Sequence, residues 1–405
     1  MFNGGSVRTK KEGVRVASLR GAMRFWFRAL AGAATGPSLT SLAALERRAL
    51  GGAGTPSPAA LRIPVQPPCL GPTARHTFLP AASRPVEERR RHSGRLIVYL
   101  LGQDLGDLAE CAIQRPYVEP GRKFELKLRF NHLRTDPPDV RTAIEALTFA
   151  SLWLACAYGG VGARARRGFG GLRIIGADGP LPDPWSGTSI LTPALGHYEA
   201  LTCLWPDGEA ELCLAHLATL AEATDQKLGA LDEWDNPTYP VLSQRHTAAS
   251  ATAQRFRTWE QTLIRAGEQW RRFRATKDYP AARYEPQIKT PEWDDVINDG
   301  RSDHFALGAL GLPVGYKDKK VVHAGRPGQQ PLRRASPLWL RPVGTGETWR
   351  LLSFAFLGEF LPGPDAPGVY LWEGSHQGRR LTVEDADVKS RTAKWIDAMR
   401  IGQSF

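Results

Sequence analysis

Along the chain, apolar residues at helical spacing alternate with shorter runs of strand-like periodicity. From Ser18 to Leu30 aromatic and aliphatic residues gather on one side and arginines lie near the start, which predicts a turn and then a helix with Ser18 as its cap. A second helix is predicted from Ser38 to Ala49, ahead of a Gly/Pro loop. Strand-like runs follow at Leu61 to Val65, Arg95 to Leu101 and Lys123 to Phe130; the last puts Phe124, Leu126, Leu128 and Phe130 on one face. Asp136-Pro-Pro-Asp139 opens a long helix that runs to Tyr158 and stops at Gly159-Gly160. Leu172 to Ile175 reads as the next strand. Gly176 to Gly187, rich in Pro, Gly and Asp, is the expected interdomain linker.

Beyond it, His197 to Leu214 suggests strands and Leu214 to Leu228 a helix. Ala249 to Lys277 is a basic helix with Phe256, Trp259, Leu263, Trp270 and Phe273 at helical spacing. Ala306 to Val314, Ser336 to Val343 and Trp349 to Phe356 read as strands or short helices, and Val388 to Ile401 as a closing helix. This order suits an α+β protein whose antiparallel sheets are covered by helices on one face. At 405 residues the chain has length for two or three domains. Its longest strongly apolar run, Leu147 to Tyr158, is well short of the roughly 20 residues of a membrane-spanning helix. The first residues are basic and lack an apolar stretch, so no secretory signal and no membrane partner are expected, and the cytoplasm is the expected compartment.

Charge sharpens this picture. The net charge is +12, but residues 1–175 hold 27 basic and 12 acidic residues, a net of +15, whereas the rest holds 26 and 29, a net of −3. Arginine supplies 41 of the 53 positive charges. Its planar fork suits bidentate phosphate contacts and stacking on bases, so a polynucleotide is the favoured partner. A GC-rich genome would also raise Arg with Ala, Gly and Pro, but not the asymmetry between the halves. The five cysteines are scattered without a Cys-x-x-Cys pair, and the nine histidines lack metal-ligand spacing; reduced thiols and no metal or cofactor are expected.

The sharpest chemical signal is the loop Gly159-Gly-Val-Gly-Ala-Arg-Ala-Arg-Arg-Gly-Phe-Gly-Gly171. Its six glycines allow positive φ or close approach to a ligand, with Gly162, Gly168 and Gly170 assigned to the RNA contact; Arg164, Arg166 and Arg167 offer forks for phosphates, and Phe169 a face for a base. The loop lacks the Lys-Ser/Thr of a P-loop and follows a helix, so it is not a nucleotide fingerprint. Its bland reading is a solvated turn, against which stands the mutual repulsion of three arginines within four residues. The predicted first helix offers Arg20, Gly21, Arg24 and Arg28 near an N-terminus, where free N–H groups favour anions; alternatively Arg24 and Arg28 are a solvated i,i+4 face. Phe25, Trp26 and Phe27 are assigned to the core. Arg333 and Arg334 stand before a strand-like segment. Arg255, Arg257, Arg265, Arg271, Arg272 and Arg274, interspersed with Glu260 and Glu268, read as a solvated or subunit-contacting face more readily than as an RNA contact. Lys317, Lys319 and Lys320 read as a polar hairpin.

Ser18-Leu-Arg-Gly followed by Arg24-Phe-Trp-Phe-Arg28, the loop Gly160 to Gly170, and Arg333-Arg-Ala-Ser-Pro-Leu338 together resemble the RAMP superfamily of CRISPR-associated proteins. Within it, the first-numbered subunits of the Cmr, or type III-B, effector complex are the nearest group. The resemblance implies two tandem ferredoxin-like (RRM-like) domains, residues 1–187 with the glycine loop and 188–405 with a helical insertion. It also implies a non-catalytic member of an RNA-guided antiviral complex that contacts the 3′ region of the CRISPR guide RNA, the target single-stranded RNA and other type III effector subunits. Such proteins usually begin with a strand leading into a Gly-Gly turn. Here Met1-Phe-Asn-Gly-Gly5 opens at the turn, so the first strand is missing or supplied otherwise.

Two other functions compete with this one: a metal-independent endoribonuclease, and a scaffold with mainly protein contacts. Acid/base cleavage of RNA needs a titratable group at the 2′-hydroxyl or the leaving oxygen. His132 and Asp136 near Arg134 form the best available trio and are also what an ordinary polar loop contains. Glu292, Asp294 and Asp295 beside Trp293 read as an acidic turn before a Mg²⁺ site. No catalytic residue is therefore assigned.

Overall fold

The computed structural model describes residues 13–72, 74–102, 105–187, 191–204, 209–229, 234–275, 292–316, 319–326, 329–363, 365–374 and 376–402. The Gly-Gly turn at residues 4–5 lies outside them. The protein is mixed α+β with small antiparallel sheets, and it divides into two compact units. The first comprises Met1–Tyr198, Trp205–Trp234 and Val241–Ser243; the second comprises Glu199–Leu204, Asp235–Pro240 and Gln244–Phe405. The segment 176–187 lies inside the first unit.

In chain order the first unit holds α1 (Val16–Thr35), α2 (Leu39–Leu50), β1 (Ala59–Arg62), β2 (Cys69–Leu70), α3 (Val86–Arg91), α4 (Arg95–Leu101), β3 (Gly106–Asp107), β4 (Ala112–Ile113), β5 (Tyr117–Val118), β6 (Lys127–Phe130) and α5 (Pro138–Ala157). Then come α6 (Leu195–Ala200) and α7 (Glu209–Glu222). Its core is helical: α5 packs on α1 and α7, and α2 on α1. Leu19, Met23, Trp26, Phe27 and Leu30 form the buried stripe of α1, and the Trp26 ring meets Tyr158 at 6.0 Å between centroids. α5 starts with a proline in its first turn, where the missing N–H costs nothing, and is buried over most of its length. By length and composition it could cross a membrane, but 83% of its apolar window is buried against the fold. Ser38 caps α2, its hydroxyl accepting from the Ser41 N–H. Strands pair antiparallel and only in twos: β1 with β6, β2 with β5, β3 with β4.

The second unit contains β7 (Thr247–Ala251), α8 (Trp259–Ala275), a π-turn at Glu292–Asn298, a 3₁₀ turn at Ala306–Leu310, β8 (Val314–Gly315), β9 (Lys320–Gly325), β10 (Leu338–Thr345), β11 (Thr348–Phe356), β12 (Gly368–Glu373), β13 (His376–Leu381) and α9 (Asp385–Ile401). One antiparallel sheet runs β10-β11-β7 and carries α8 and α9; the other runs β13-β12-β9-β8. Trp395 sits between Trp270 and Phe273, at 5.1 and 5.4 Å, and donates its indole N–H to the Ser353 hydroxyl at 3.0 Å.

Several expected elements differ. Arg95–Leu101 is a helix: Ile97, Val98, Leu100 and Leu101 are buried, and Gly102 ends it at φ +74°. A short apolar run does not by itself distinguish strand from helix. Leu172 to Ile175 lies outside any strand, with Ile175 67% exposed. Helices α6 and α7 occupy most of the segment from His197 to Leu214 that suggested strands. Ala249 belongs to β7, opposite Phe354 of β11, so tertiary pairing overrides the helix preference of its alanines. Leu338–Thr345 and Thr348–Phe356 are strands and Asp385–Ile401 is the closing helix, as the pattern predicts.

Candidate nucleic-acid interface

The loop after α5 is shaped by its glycines. The Val161 N–H donates to the Gly170 carbonyl at 2.9 Å, closing the loop base, and the Arg167 N–H donates to the Arg164 carbonyl at 2.8 Å, forming a turn at its tip. Gly162, Gly168 and Gly170 have φ of +87°, +91° and +71°. Arg164 adopts φ +64°, a conformation that costs a side-chain-bearing residue energy and marks a backbone held by its surroundings. A Cβ on Gly170 would fall within the shell of the Val161 carbonyl oxygen and 3.0 Å from its carbon.

The three arginines are positioned differently. Arg164 lies over Gly102 at the end of α4, whose missing Cβ makes the room; a methyl group there would stand 2.7 Å from its guanidinium. Arg166 rests over the Phe25 ring at 5.6 Å, and burial lowers its pKa from the usual guanidinium value to about 10. Arg166 and Arg167 are both half-buried. Phe169, expected to face a base, is 8% exposed; its ring anchors the loop to the core.

The first-helix candidates separate. α1 begins at Val16 with Arg15 at its cap position, so Ser18 is inside the first turn and Arg20, Gly21 and Arg24 lie beyond the helix N-terminus. The apolar stripe extends the helix upstream, because Leu19 needs helical backbone to reach the core. Gly21 faces open space, and Arg20 donates to the Ala59 carbonyl at 3.3 Å. Arg24 donates to Glu46 of α2 at 2.5 Å and to the carbonyls of Leu50 and Gly51 at the α2 C-terminus. Arg28 grips the same carboxylate with two nitrogens, which raises its pKa further. Glu46 is 5% exposed. Its role has a sequence signal, a lone acid among Leu42, Leu45 and Ala49 on one helical face, but the pairing with α1 has none.

Arg333 and Arg334 belong to the second unit. Arg334 ties backbone together, donating to the carbonyls of Phe360 and Ala335 and lying 4.7 Å over the Phe360 ring. Arg333 is exposed. On α8, Arg265 and Arg272 bracket Glu268 at 2.7 and 2.8 Å, and Arg274 lies over Trp270. Lys317 lies outside the described residues, while Lys319 and Lys320 belong to the connection of β8 to β9.

The cleavage trio is dispersed into structural bonds. His132 Nε2 meets Glu145 at 2.7 Å, its ring stacked on Phe130. Asp136 accepts from Arg48 at 2.5 Å and from the Leu133 N–H at 3.1 Å; burial pushes its pKa up, but these bonds outweigh it and hold the carboxyl below its usual value. Arg134 is exposed. Asp295 pairs with Arg301 at 2.6 Å, and among the described residues no cluster of three His, Cys, Asp or Glu could hold a metal. The cysteines in the described residues are free thiols.

Comparison with known proteins bears on the same region. The RAMP superfamily profile matches residues 2–173. A Cmr subunit of Pyrococcus furiosus, Cmr1-1, is 30% identical over 166 residues, 40% of this chain and 41% of its own length, so the match spans about two fifths of that relative. The crystal structure of apo Cmr1 from Pyrococcus furiosus aligns over 95% of this chain and 89% of its own at 15% identity and a TM-score of 0.42. A chain of the type III-B Cmr-beta complex bound to cognate target RNA and AMPPnP aligns over 98% and 97%, at 13% identity and 0.45. The profile match, residues 2–173, takes in α1, the β1–β6 pair, α5 and the glycine-arginine loop, and over that part the chain is similar to the RAMP superfamily.

Proposed function

We propose that this chain is a non-catalytic, RNA-binding subunit of a cytoplasmic type III CRISPR effector complex, that it contacts the 3′ region of the guide RNA and the target RNA, and that its partners include other effector subunits. This reading includes two tandem ferredoxin-like domains. The observation that carries the reading is the loop 159–171: a backbone fixed by two hydrogen bonds and three positive-φ glycines bears three arginines within four residues, one of them desolvated. A cation that has lost hydration gains most from an anion beside it. Phosphate contacts position a strand without reading its sequence, which suits a subunit that must accept every guide. The bonds that engage His132 and Asp136 favour this reading over a ribonuclease.

Replacing Arg164, Arg166 and Arg167 together with Ala should weaken binding equally for unrelated single-stranded RNAs. It should also lower the slope of log affinity against log salt by about 2, at roughly 0.7 per lost contact. An unchanged slope in a variant with normal thermal unfolding would make the loop a simple turn.

A further inference from the structure

The sheet β13-β12-β9-β8 has one face against the core and one that is partly open. Val322 and Ala324 of β9, Val369 and Leu371 of β12, and Leu381 of β13 are buried. Their sequence neighbours point the other way, as the twofold alternation of a strand requires. The register sets His323 opposite Tyr370 and Val321 opposite Trp372, and Tyr370 in turn opposite Arg380. All three aromatic residues are partly exposed, and Arg380 is exposed. The rings do not stack into one another: His323 and Trp372 meet edge to face, 6.3 Å between centroids at 84°. The Tyr370 ring lies along the strand over Gly368, where an added Cβ would stand 2.8 Å from it, so that glycine lets the ring lie down on the sheet.

Among the described residues, arginines can be placed at the margins of this face. Arg380 stands at one side, and Arg333 lies close enough to His323 to help burial hold the imidazole below its ordinary pKa, hence neutral at pH 7. Glu373 belongs to the opposite alternation and pairs with Lys320 at 3.5 Å. Among the described residues of β9, β12 and β13 no carboxylate shares the face with the rings. Partly exposed aromatic residues on adjacent strands, flanked by arginines, have the composition of a surface for unstacked bases, with guanidinium groups for the phosphates between them.

We infer that the open face of this sheet, through Tyr370, Trp372 and His323 with Arg380 and Arg333 at its margins, is a second RNA contact that stacks bases of a single strand. It rests on the RNA-binding reading but is separate from the glycine loop, and the two differ in kind: the loop holds phosphates, the sheet holds bases. It also gives Arg333 a role that Arg334, bound to carbonyls, does not share.

The test uses the full chain and two probes of equal length, oligoadenylate and an abasic ribose-phosphate strand. Trp372→Ala should weaken oligoadenylate binding about tenfold, the scale of one lost base–aromatic stack, with an unchanged salt slope. The abasic strand should not sense this change but should still sense the triple arginine replacement in the loop. Trp372→Phe should restore most of the affinity. Arg380→Ala should lower the salt slope by roughly 0.7. Ultraviolet cross-linking of the unaltered chain to oligouridylate should label the peptide holding Tyr370 and Trp372, and together with Arg380→Ala it decides the matter if Trp372→Ala does not fold. Full affinity in folded Trp372→Ala, or adducts elsewhere only, overturns the inference and leaves the loop reading standing. Protection of Trp372 by a partner subunit with RNA affinity unchanged assigns the face to protein and also overturns it. If the full chain binds neither probe, the RNA-binding reading falls as well.

Discussion

Gly170→Ala tests whether the loop's shape, apart from its charge, matters. The native residue has φ +71°, where an alanine pays about 1–2 kcal/mol for the clash of its Cβ with backbone. The substitution meets a second obstacle: the new methyl would overlap the Val161 carbonyl oxygen and stand 3.0 Å from its carbon. That carbonyl belongs to the residue whose N–H bonds Gly170, so the methyl and the loop-closing hydrogen bond cannot coexist. Losing the bond adds about 1 kcal/mol, for a total of roughly 2–3 kcal/mol. Gly121→Ala is the control: its φ is +80° and nothing lies within 4 Å of the added atom, so only the first cost, about 1 kcal/mol, applies. Thermal unfolding of the full chain should show a drop of about 6 °C for Gly170→Ala and about 3 °C for Gly121→Ala. Hydrogen exchange should show the Val161 amide losing protection in the first variant alone. RNA affinity should fall for Gly170→Ala, although no charge has changed, and hold for Gly121→Ala. If the two variants unfold and bind alike, the loop backbone is not held as described and its arginines act as loose charges.

Glu46→Gln should destabilise by about 1–2 kcal/mol, less than a fully buried pair because Arg24 and Arg28 keep 31% and 53% of their side-chain surface; denaturant midpoints check this, and RNA affinity should not fall. Asp136, whose folded pKa is depressed, contributes stability in full above its unfolded value of about 3.9 and loses it as pH falls through the lower folded value. Asp136→Asn should therefore flatten the acid limb of stability measured below about pH 4, and an unchanged limb would show that Arg48 is not its effective partner. Incubation of labelled RNA with the purified chain should leave the RNA intact, and a cleavage product that vanishes in His132→Ala would restore the trio as catalytic.

What the sequence revealed follows physical range. Helices α1, α2 and α5 were legible because an apolar stripe and a glycine stop are local, although the expected Ser18 cap falls inside α1. Arg95–Leu101 was not, because six apolar residues carry no period long enough to separate 2 from 3.6, and burial on several sides chose helix. The glycine loop was legible as backbone, since its positive-φ positions are glycines, but Phe169 was not: an aromatic beside arginines is the same pattern whether it faces a base or the core. The aromatic sheet face escaped notice because β9 and β12 lie almost fifty residues apart, and only their pairing puts His323 beside Tyr370.

The same limit governs the charge. An excess of +15 over residues 1–175 does not say which cations would meet an acidic partner. Folding sorts them by what each fork already holds. Arg24 and Arg28 share Glu46, Arg48 holds Asp136, and Arg89 takes the carboxylate and carbonyl of Glu110. These guanidinium groups act as ties between elements, and an RNA strand would have to compete with carboxylates positioned by the fold. In the loop the glycines set three arginines on one short turn, with the Arg164 guanidinium over Gly102 and that of Arg166 over the Phe25 ring. Arginine's preference for planar anions serves both purposes. Which one a given residue performs depends on contacts eighteen or more residues away in these pairs.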